Sequence, residues 1–292
     1  GAEWFVGARL NVVDQVFRNV RDGVAIVAGD ETGAIRELSW RQLQQQVARI
    51  AAALRESGVV PGDRVVAILP NVPETMVAFL ACSSIGAIWS VCAPDMGTAA
   101  VADRFRQIEP KVLIAVDGVH YGGKPLDRSA VLGELRGQLP SVQKLLLVKS
   151  PYAASSVPHD VEWTQAIARD DAEVAAFEPE WLPFDHPIWI VYSSGTTGLP
   201  KPIVHGQGGI ILTMHACGLH NDVGASYGAN NFGERYHWYS STGWVMWNSQ
   251  LSGMAFGATI CIYDGNPAGS KEKPDWGVLW RFVARHKVTF FG

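Results

Sequence analysis

The sequence predicts an α/β protein with layered, parallel-rich sheets covered by helices on both faces. Three observations lead there. From Gly23 onward strand-like apolar runs alternate with stretches of helical spacing, Gly and Pro turn signals separate them, and 48% of the residues are hydrophobic. Strands alternating with helices are joined by crossovers, which makes neighbouring strands parallel and lays helices over the sheet.

The elements follow in order. Val24 to Ala28 and Ile35 to Leu38 read as strands about a Glu31-Thr32-Gly33 turn. Ser39 is placed to cap a helix in which Leu43, Val47, Ile50, Ala51 and Leu54 keep helical spacing, and Gly58 stops it ahead of Pro61-Gly62. Arg64 to Leu69 is the next strand. Met76 to Ala93 is almost continuously apolar, but Ser83, Ser84, Gly86 and Ser90 interrupt it, so it reads as a buried helix, Glu74 to Ser84, turning into a strand, Ala87 to Cys92. Thr98 is expected to cap a helix carrying Val101, Phe105 and Ile108, which Pro110 ends; Val112 to Val116 and Lys144 to Val148 are strands.

Ser150 to Pro187 changes character, with five prolines, and reads as a surface connection holding one short helix, Trp163 to Ala168. Its acidic residues Asp170, Asp171 and Glu173 read as a solvated surface rather than a metal site. Ile188 to Val191, Pro202 to His205, Tyr236 to Ser240, Thr259 to Tyr263 and Val288 to Phe291 are the remaining strands, and Gln207-Gly208-Gly209 opens a helix over Ile210 to Leu219. With 292 residues, two fused lobes are expected, 1–180 and 181–292.

Composition excludes some classes of partner. A net charge of -4 with scattered Lys and Arg provides no basic face for nucleic acid, and no stretch reads as a membrane span. Cys82, Cys92, Cys217 and Cys261 lie far apart inside apolar stretches, which predicts buried free thiols and a reducing, cytoplasmic compartment. His215 and His220 are five apart, off a common helical face, so no zinc pair is expected and no metal site is assigned.

The most informative run is Tyr192-Ser-Ser-Gly-Thr-Thr-Gly-Leu-Pro-Lys201, directly after an apolar strand. Gly195 and Gly198 can adopt backbone conformations closed to other residues, so successive N–H groups can converge on one anion. Ser193, Ser194, Thr196 and Thr197 add hydroxyl donors, and Lys201 adds a compact positive charge. The spacing is not that of the common nucleotide P-loop, which needs four residues between its glycines and Lys-Ser/Thr after the second. A plain polar surface loop is the competing reading; ten ordered positions behind a strand favour the phosphate loop.

A second run, Trp238-Tyr-Ser-Ser-Thr-Gly-Trp-Val-Met-Trp-Asn248, holds three of the eleven tryptophans. A strand, a Thr-Gly turn and a helix starting near Trp244 would bring Trp244, Val245 and Trp247 to a sheet edge, where ligands enter open α/β sheets. Trp244 and Val245 are the candidate pocket walls, against the plain alternative that these aromatics pack a helix on its sheet. His205 closes the strand after the loop, beside the substrate groups or as a structural histidine; both readings stand. Asp264, in Asp-Gly-Asn-Pro267, reads as a turn-capping residue.

Tyr-Ser-Ser-Gly-Thr-Thr-Gly-Leu-Pro-Lys-Pro resembles the phosphate-loop signature of the adenylate-forming superfamily, which holds acyl-CoA synthetases, peptide-synthetase adenylation domains and luciferases. Trp4-Phe-Val-Gly-Ala-Arg-Leu-Asn11, Leu-Pro-Lys-Pro-Ile-Val-His205, Thr-Gly-Trp-Val-Met-Trp-Asn248 and Tyr-Asp-Gly-Asn-Pro267 are most similar to the acetoacetate-activating branch of the acyl-CoA synthetases, and the similarity spans nearly the whole chain. Acetyl- and propionyl-activating enzymes match less well, since they typically carry Lys-Pro-Lys-Gly where this chain has Leu-Pro-Lys-Pro.

The resemblance implies ATP, Mg²⁺ and coenzyme A as reactants, with Ser193, Ser194, Gly195, Thr196, Thr197, Gly198 and Lys201 holding phosphate and Lys201 and Thr196 acting in catalysis. It implies that acetoacetate is activated and places Trp244, Val245 and His205 at the acyl pocket. It also implies more chain than is present. Family members continue with an aromatic-Gly-x-Thr-Glu element, a ribose-binding aspartate, a hinge and a small C-terminal domain bearing a catalytic lysine. None of these follows Gly292, and residues are expected before Gly1. The chain is therefore expected to form part of the large N-terminal domain and not to turn over alone. The alternatives are another short-chain acid-CoA ligase or a non-catalytic nucleotide-binding protein.

Overall fold

The computed structural model describes residues 4–193, 198–224, 234–270 and 272–292. Two sheets organise them. The larger has seven strands in the order Val161–Glu162, Lys144–Val148, Val112–Val116, Arg64–Ile68, Ile88–Cys92, Pro187–Ser193 and Lys201–Gly206. All neighbours are parallel except the last pair, which forms an antiparallel hairpin. The smaller has five strands in the order Phe290–Phe291, Arg235–His237, Thr259–Asp264, Val24–Asp30 and Ile35–Ser39, again parallel except for its terminal hairpin.

Strand periodicity assigns each sheet's faces to different layers. Val65 and Ala67 join a central core with Leu43, Val47, Phe79 and Leu251, whereas Val66 and Ile68 face a separate cluster with Val101, Phe105, Leu132 and Leu135. In the smaller sheet Ile26, Ile260 and Ile262 belong to the central core, while Val27 and Cys261 pack with Phe282 on the outer face. Helices thus cover both faces of both sheets. Both sheets take strands from either side of residue 180, so a division at 180 and 181 does not follow them.

The middle layer rests on two helices whose sequences explain them. Helix Trp40–Glu56 starts with a reciprocal capping box: the Gln42 N–H donates to the Ser39 hydroxyl, and the Ser39 N–H donates to the Gln42 side chain. Helix Pro73–Ser84 opens on proline at its first turn, where no N–H is needed, and is buried on nearly every side, which accounts for its continuous apolar run. Phe79 lies at its centre, its ring 6.0, 5.9 and 6.1 Å from those of Trp89, Trp189 and Trp247. Truncating such a buried aromatic to alanine costs ~3–5 kcal/mol.

Several expectations change. Thr98 is the first residue of helix Thr98–Phe105 rather than its cap; Gly97 holds the cap position, and the Thr98 hydroxyl bonds Glu134 instead. The helix gives way to a 3-10 turn over Arg106–Ile108, and Glu109 turns left-handed at φ 46° before Pro110. The connection from Ser150 holds two short helices, Trp163–Ala166 and Ala172–Ala175, because Asp171 caps the second and pairs with Arg169. Cys217 is exposed, since helix Gln207–His220 keeps only one side against the core; Cys82, Cys92 and Cys261 are buried. Among the described residues no helix is long and apolar enough to cross a membrane.

Candidate active site

The phosphate-loop candidate joins the last two strands of the larger sheet, Pro187–Ser193 and the edge strand Lys201–Gly206. Ser193 ends one strand and stands opposite Lys201, which begins the other. The loop therefore joins two antiparallel strands. Ser194, Gly195, Thr196 and Thr197 lie outside the described residues. Gly198 has φ +104°, a conformation that favours glycine, and the Gln107 side chain donates to the Pro200 carbonyl at 2.8 Å to hold the returning end. Lys201 is exposed and makes no ion pair among the described residues, and the sequence from Pro187 to Asn221 contains no Asp or Glu. An uncompensated cation beside a run of donors suits a polyphosphate.

Behind the hairpin lies a small pocket walled by Trp89, Trp189, Tyr192, Thr242, Trp244 and Asn248, among others. It begins two residues before Ser194, so it adjoins the loop. Trp244 is 65% exposed and forms its outer wall, while Trp247 is buried edge-on against Phe79 and serves the core. Instead of the helix expected near Trp244, a 3-10 segment runs over Val245–Ser249 and an α-helix over Gln250–Ala255. Val245 stays exposed beside the pocket without lining it. His205 sits behind the wall: the Trp189 indole N–H donates to His205 Nδ1 at 2.7 Å. That bond makes Nδ1 the acceptor and leaves the ring proton on Nε2 in the neutral form.

A larger cleft of about 250 Å³ opens at the carboxyl ends of parallel strands from both sheets. Asn71, Asp95, His120, Tyr121, Tyr239 and Asp264 contribute polar groups to it. One wall is the hairpin formed by strands Gly118–Tyr121 and Lys124–Asp127, which sequence reading did not find. Glu31 fixes that hairpin. Its carboxylate accepts the N–H of Gly122 at 2.7 Å, of Gly123 at 2.8 Å and of Asn266 at 2.6 Å, and His120 Nδ1 lies 3.1 Å away. Gly265 leaves room for it: at φ +147° a Cβ there would come within 2.2 Å of the Glu31 side chain.

Asp264 is more than a turn residue. Its carboxyl is pushed up to about 7, chiefly by burial and in smaller part by the neighbouring Asp30 and Glu31 charges, while a bond from the Asn71 N–H and the Arg36 charge oppose them. The strand register sets Asp264 directly beside Asp30. The signal available in the sequence was an acidic residue at the carboxyl end of a strand, where open α/β sheets place ligand groups.

The AMP-binding enzyme family matches residues 13–292. The chain belongs to this family. It is 39% identical over 298 residues to acetoacetyl-coenzyme A synthetase of Rhizobium meliloti (strain 1021), covering 100% of this chain and 43% of the relative. It is 38% identical over 301 residues to acetoacetyl-CoA synthetase of Danio rerio, covering 99% and 43%. Among solved structures, acetoacetyl-CoA synthetase from Streptomyces lividans is similar with a TM-score of 0.90 and 43% identity, over 100% of this chain and 43% of that one. The chain thus spans well under half the length of the relatives it matches, and the α/β fold of this AMP-binding family extends over all of it.

Proposed function

We propose that the full-length protein carrying this chain joins acetoacetate to coenzyme A in two steps. The acid's carboxylate attacks the α-phosphorus of ATP, giving an acyl adenylate and pyrophosphate; the CoA thiol then attacks the acyl carbon and AMP leaves. Whole-chain similarity to acetoacetyl-CoA synthetases supports the substrate. The observation that carries the chemistry is the hairpin that sets exposed Lys201, with no ion pair among the described residues, opposite Ser193 at the mouth of the phosphate loop, next to a tryptophan-walled pocket.

In this reading Lys201 and the hydroxyls of Ser193, Ser194, Thr196 and Thr197, with the N–H groups of Gly195 and Gly198, hold the β- and γ-phosphates. They screen the repulsion between carboxylate and triphosphate and stabilise the charge that gathers on pyrophosphate, so they act in the transition state as well as in binding. Trp244 closes the acyl side, and His205 supports the pocket from behind the Trp189 wall, its tautomer fixed by the Trp189 indole N–H. Magnesium would travel with the phosphates. Among the described residues no three His, Cys, Asp or Glu form a cluster able to hold a metal, so we assign the ion no protein ligands. The buried free thiols Cys82, Cys92 and Cys261 suit a reducing cytoplasm.

The test is release of AMP and pyrophosphate by the full-length protein with ATP, Mg²⁺, CoA and a panel of short acids. Acetoacetate is expected to be the preferred acid. Turnover of acetate or propionate without acetoacetate would reassign the substrate, and no AMP with any acid would remove the ligase reading.

A further inference from the structure

Both described ends of the phosphate loop are tied to one helical turn. On the outgoing strand the Tyr192 hydroxyl donates to the Arg104 carbonyl at 2.9 Å, and the Arg104 guanidinium lies 5.8 Å from the centre of the Tyr192 ring. On the returning side the Gln107 amide donates to the Pro200 carbonyl at 2.8 Å. Arg104 and Gln107 are three residues apart, across the end of helix Thr98–Phe105 and the start of its 3-10 turn, a spacing that puts them on one face.

That turn is a firm base. Val101, Phe105 and Ile108 are buried in the cluster against the larger sheet, and the Arg64 guanidinium donates to the carbonyls of Ile108 at 2.6 Å and Glu109 at 2.9 Å. Gln107 is held in turn: its amide also donates to the Asp103 carbonyl at 2.7 Å, within its own helix. A side chain bonded at two carbonyls gives up its rotamer freedom to keep one geometry. The geometry it keeps is that of Lys201. The Pro200 carbonyl belongs to the same planar peptide as the Lys201 N and Cα, so a bond to that oxygen orients the plane from which the Lys201 side chain springs. The proline ring fixes φ on the preceding side. Across the hairpin, Tyr192 adjoins Ser193, which stands opposite Lys201.

Resting on the ligase reading above, we propose that Gln107 is a positioning residue for adenylation: it sets Lys201 against the phosphates, while the bond from Tyr192 to Arg104 sets the opposite strand. Gln107 touches neither ATP nor the acid, and its contribution is expressed only through Lys201. The alignment of a charge with the departing pyrophosphate counts most in the transition state, so misplacing it lowers kcat more than it raises KM.

The experiment is a double-mutant cycle in the full-length protein, read as acid-dependent pyrophosphate release. Gln107→Met keeps the length of the side chain and removes the donor. It is expected to lower kcat about 3- to 10-fold, with KM for the acid within about twofold of wild type and Tm unchanged, since Gln107 is exposed. In a Lys201→Ala background the same change is expected to have no further effect, because the group it positions is gone. Gln107→Ala is expected to behave alike and carries the test if the methionine variant does not fold. A kcat unmoved by both Gln107 variants, or lowered equally with and without the Lys201 side chain, overturns this inference and leaves the ligase reading standing. Lys201→Ala without effect overturns the placement of Lys201 and this inference with it. A wild-type protein that releases no pyrophosphate with any acid overturns the ligase reading as well.

Discussion

Two glycine-bearing hairpins stand over the sheets, and they treat their tips in opposite ways. The tip at Gly122 and Gly123, with φ of +63° and +80°, offers its N–H groups to an anion that the protein supplies, the Glu31 carboxylate. The hairpin from Pro187 to Gly206 has glycines, hydroxyls and a lysine but no acidic residue anywhere along it, and among the described residues the returning end of its tip is bonded by Gln107 at the Pro200 carbonyl. Converging N–H groups make an anion site, and at Gly122 and Gly123 the anion is resident, so that hairpin is a fixed wall. The Pro187–Gly206 hairpin carries no acidic residue of its own, which suits the ligand site we propose for it.

The largest effect is expected at the hairpin that lacks its own anion. Lys201→Ala removes the exposed charge that we propose faces the phosphates and is expected to lower adenylation by the full-length protein about 10²–10³-fold, read as acid-dependent pyrophosphate release, while leaving Tm unchanged. Unchanged turnover would place Lys201 outside the site. The pinned hairpin should behave in the reverse way. Glu31→Gln sets an NH₂ group against backbone donors and is expected to cost about 1–3 kcal/mol in denaturant unfolding, with faster hydrogen exchange at Gly122, Gly123 and Asn266. Exchange that stays slow at all three amides would show the carboxylate to be dispensable.

The two hairpins also differ in how far the sequence reveals them. The phosphate loop is legible because its function requires an ordered local run, and Val112–Val116 and Lys144–Val148 are legible because buried parallel strands are continuously apolar. The pinned hairpin is not. Its strands Gly-Val-His-Tyr and Lys-Pro-Leu-Asp lack alternation, and the residue that fixes them lies 91 and 92 positions away. Helix Val278–Arg285 was missed as well, since it is short and only Phe282 is buried along it. Asp264 read as a turn cap because Asp30, its neighbour in the sheet, is distant in sequence and only the register joins them.

On the cleft side of the pinned hairpin, the Asp264 carboxyl gives the comparison a dependence on pH. Its folded value of about 7 lies above the ordinary carboxyl value of about 4, so between those pH values the folded state holds a proton that the unfolded chain releases. The stability given by this proton is therefore fully present below about pH 4, falls as pH rises from there to about 7 and is level above that. Asp264→Asn cannot acquire the charge. It is expected to lie closest to wild type at about pH 4 and to exceed its Tm at about pH 8 by ~2 °C or more. Equal Tm differences at both pH values would show that Asp264 titrates normally.

The smallest effect is expected at the outer wall of the loop-side pocket. Trp244 is 65% exposed, so Trp244→Ala removes little from the core, in contrast to its buried neighbour Trp247. What it removes is the cover over the acid. An opened wall admits longer chains, and a methylene more or less in an apolar site changes discrimination only modestly. Turnover of five- and six-carbon acids should rise a few-fold relative to acetoacetate, with ATP binding retained, because the phosphate hairpin does not depend on this side chain. A drop in Tm of several degrees with loss of turnover on every acid would instead make Trp244 a packing residue. In that case the outer wall would belong to the scaffold, as the Glu31 hairpin does.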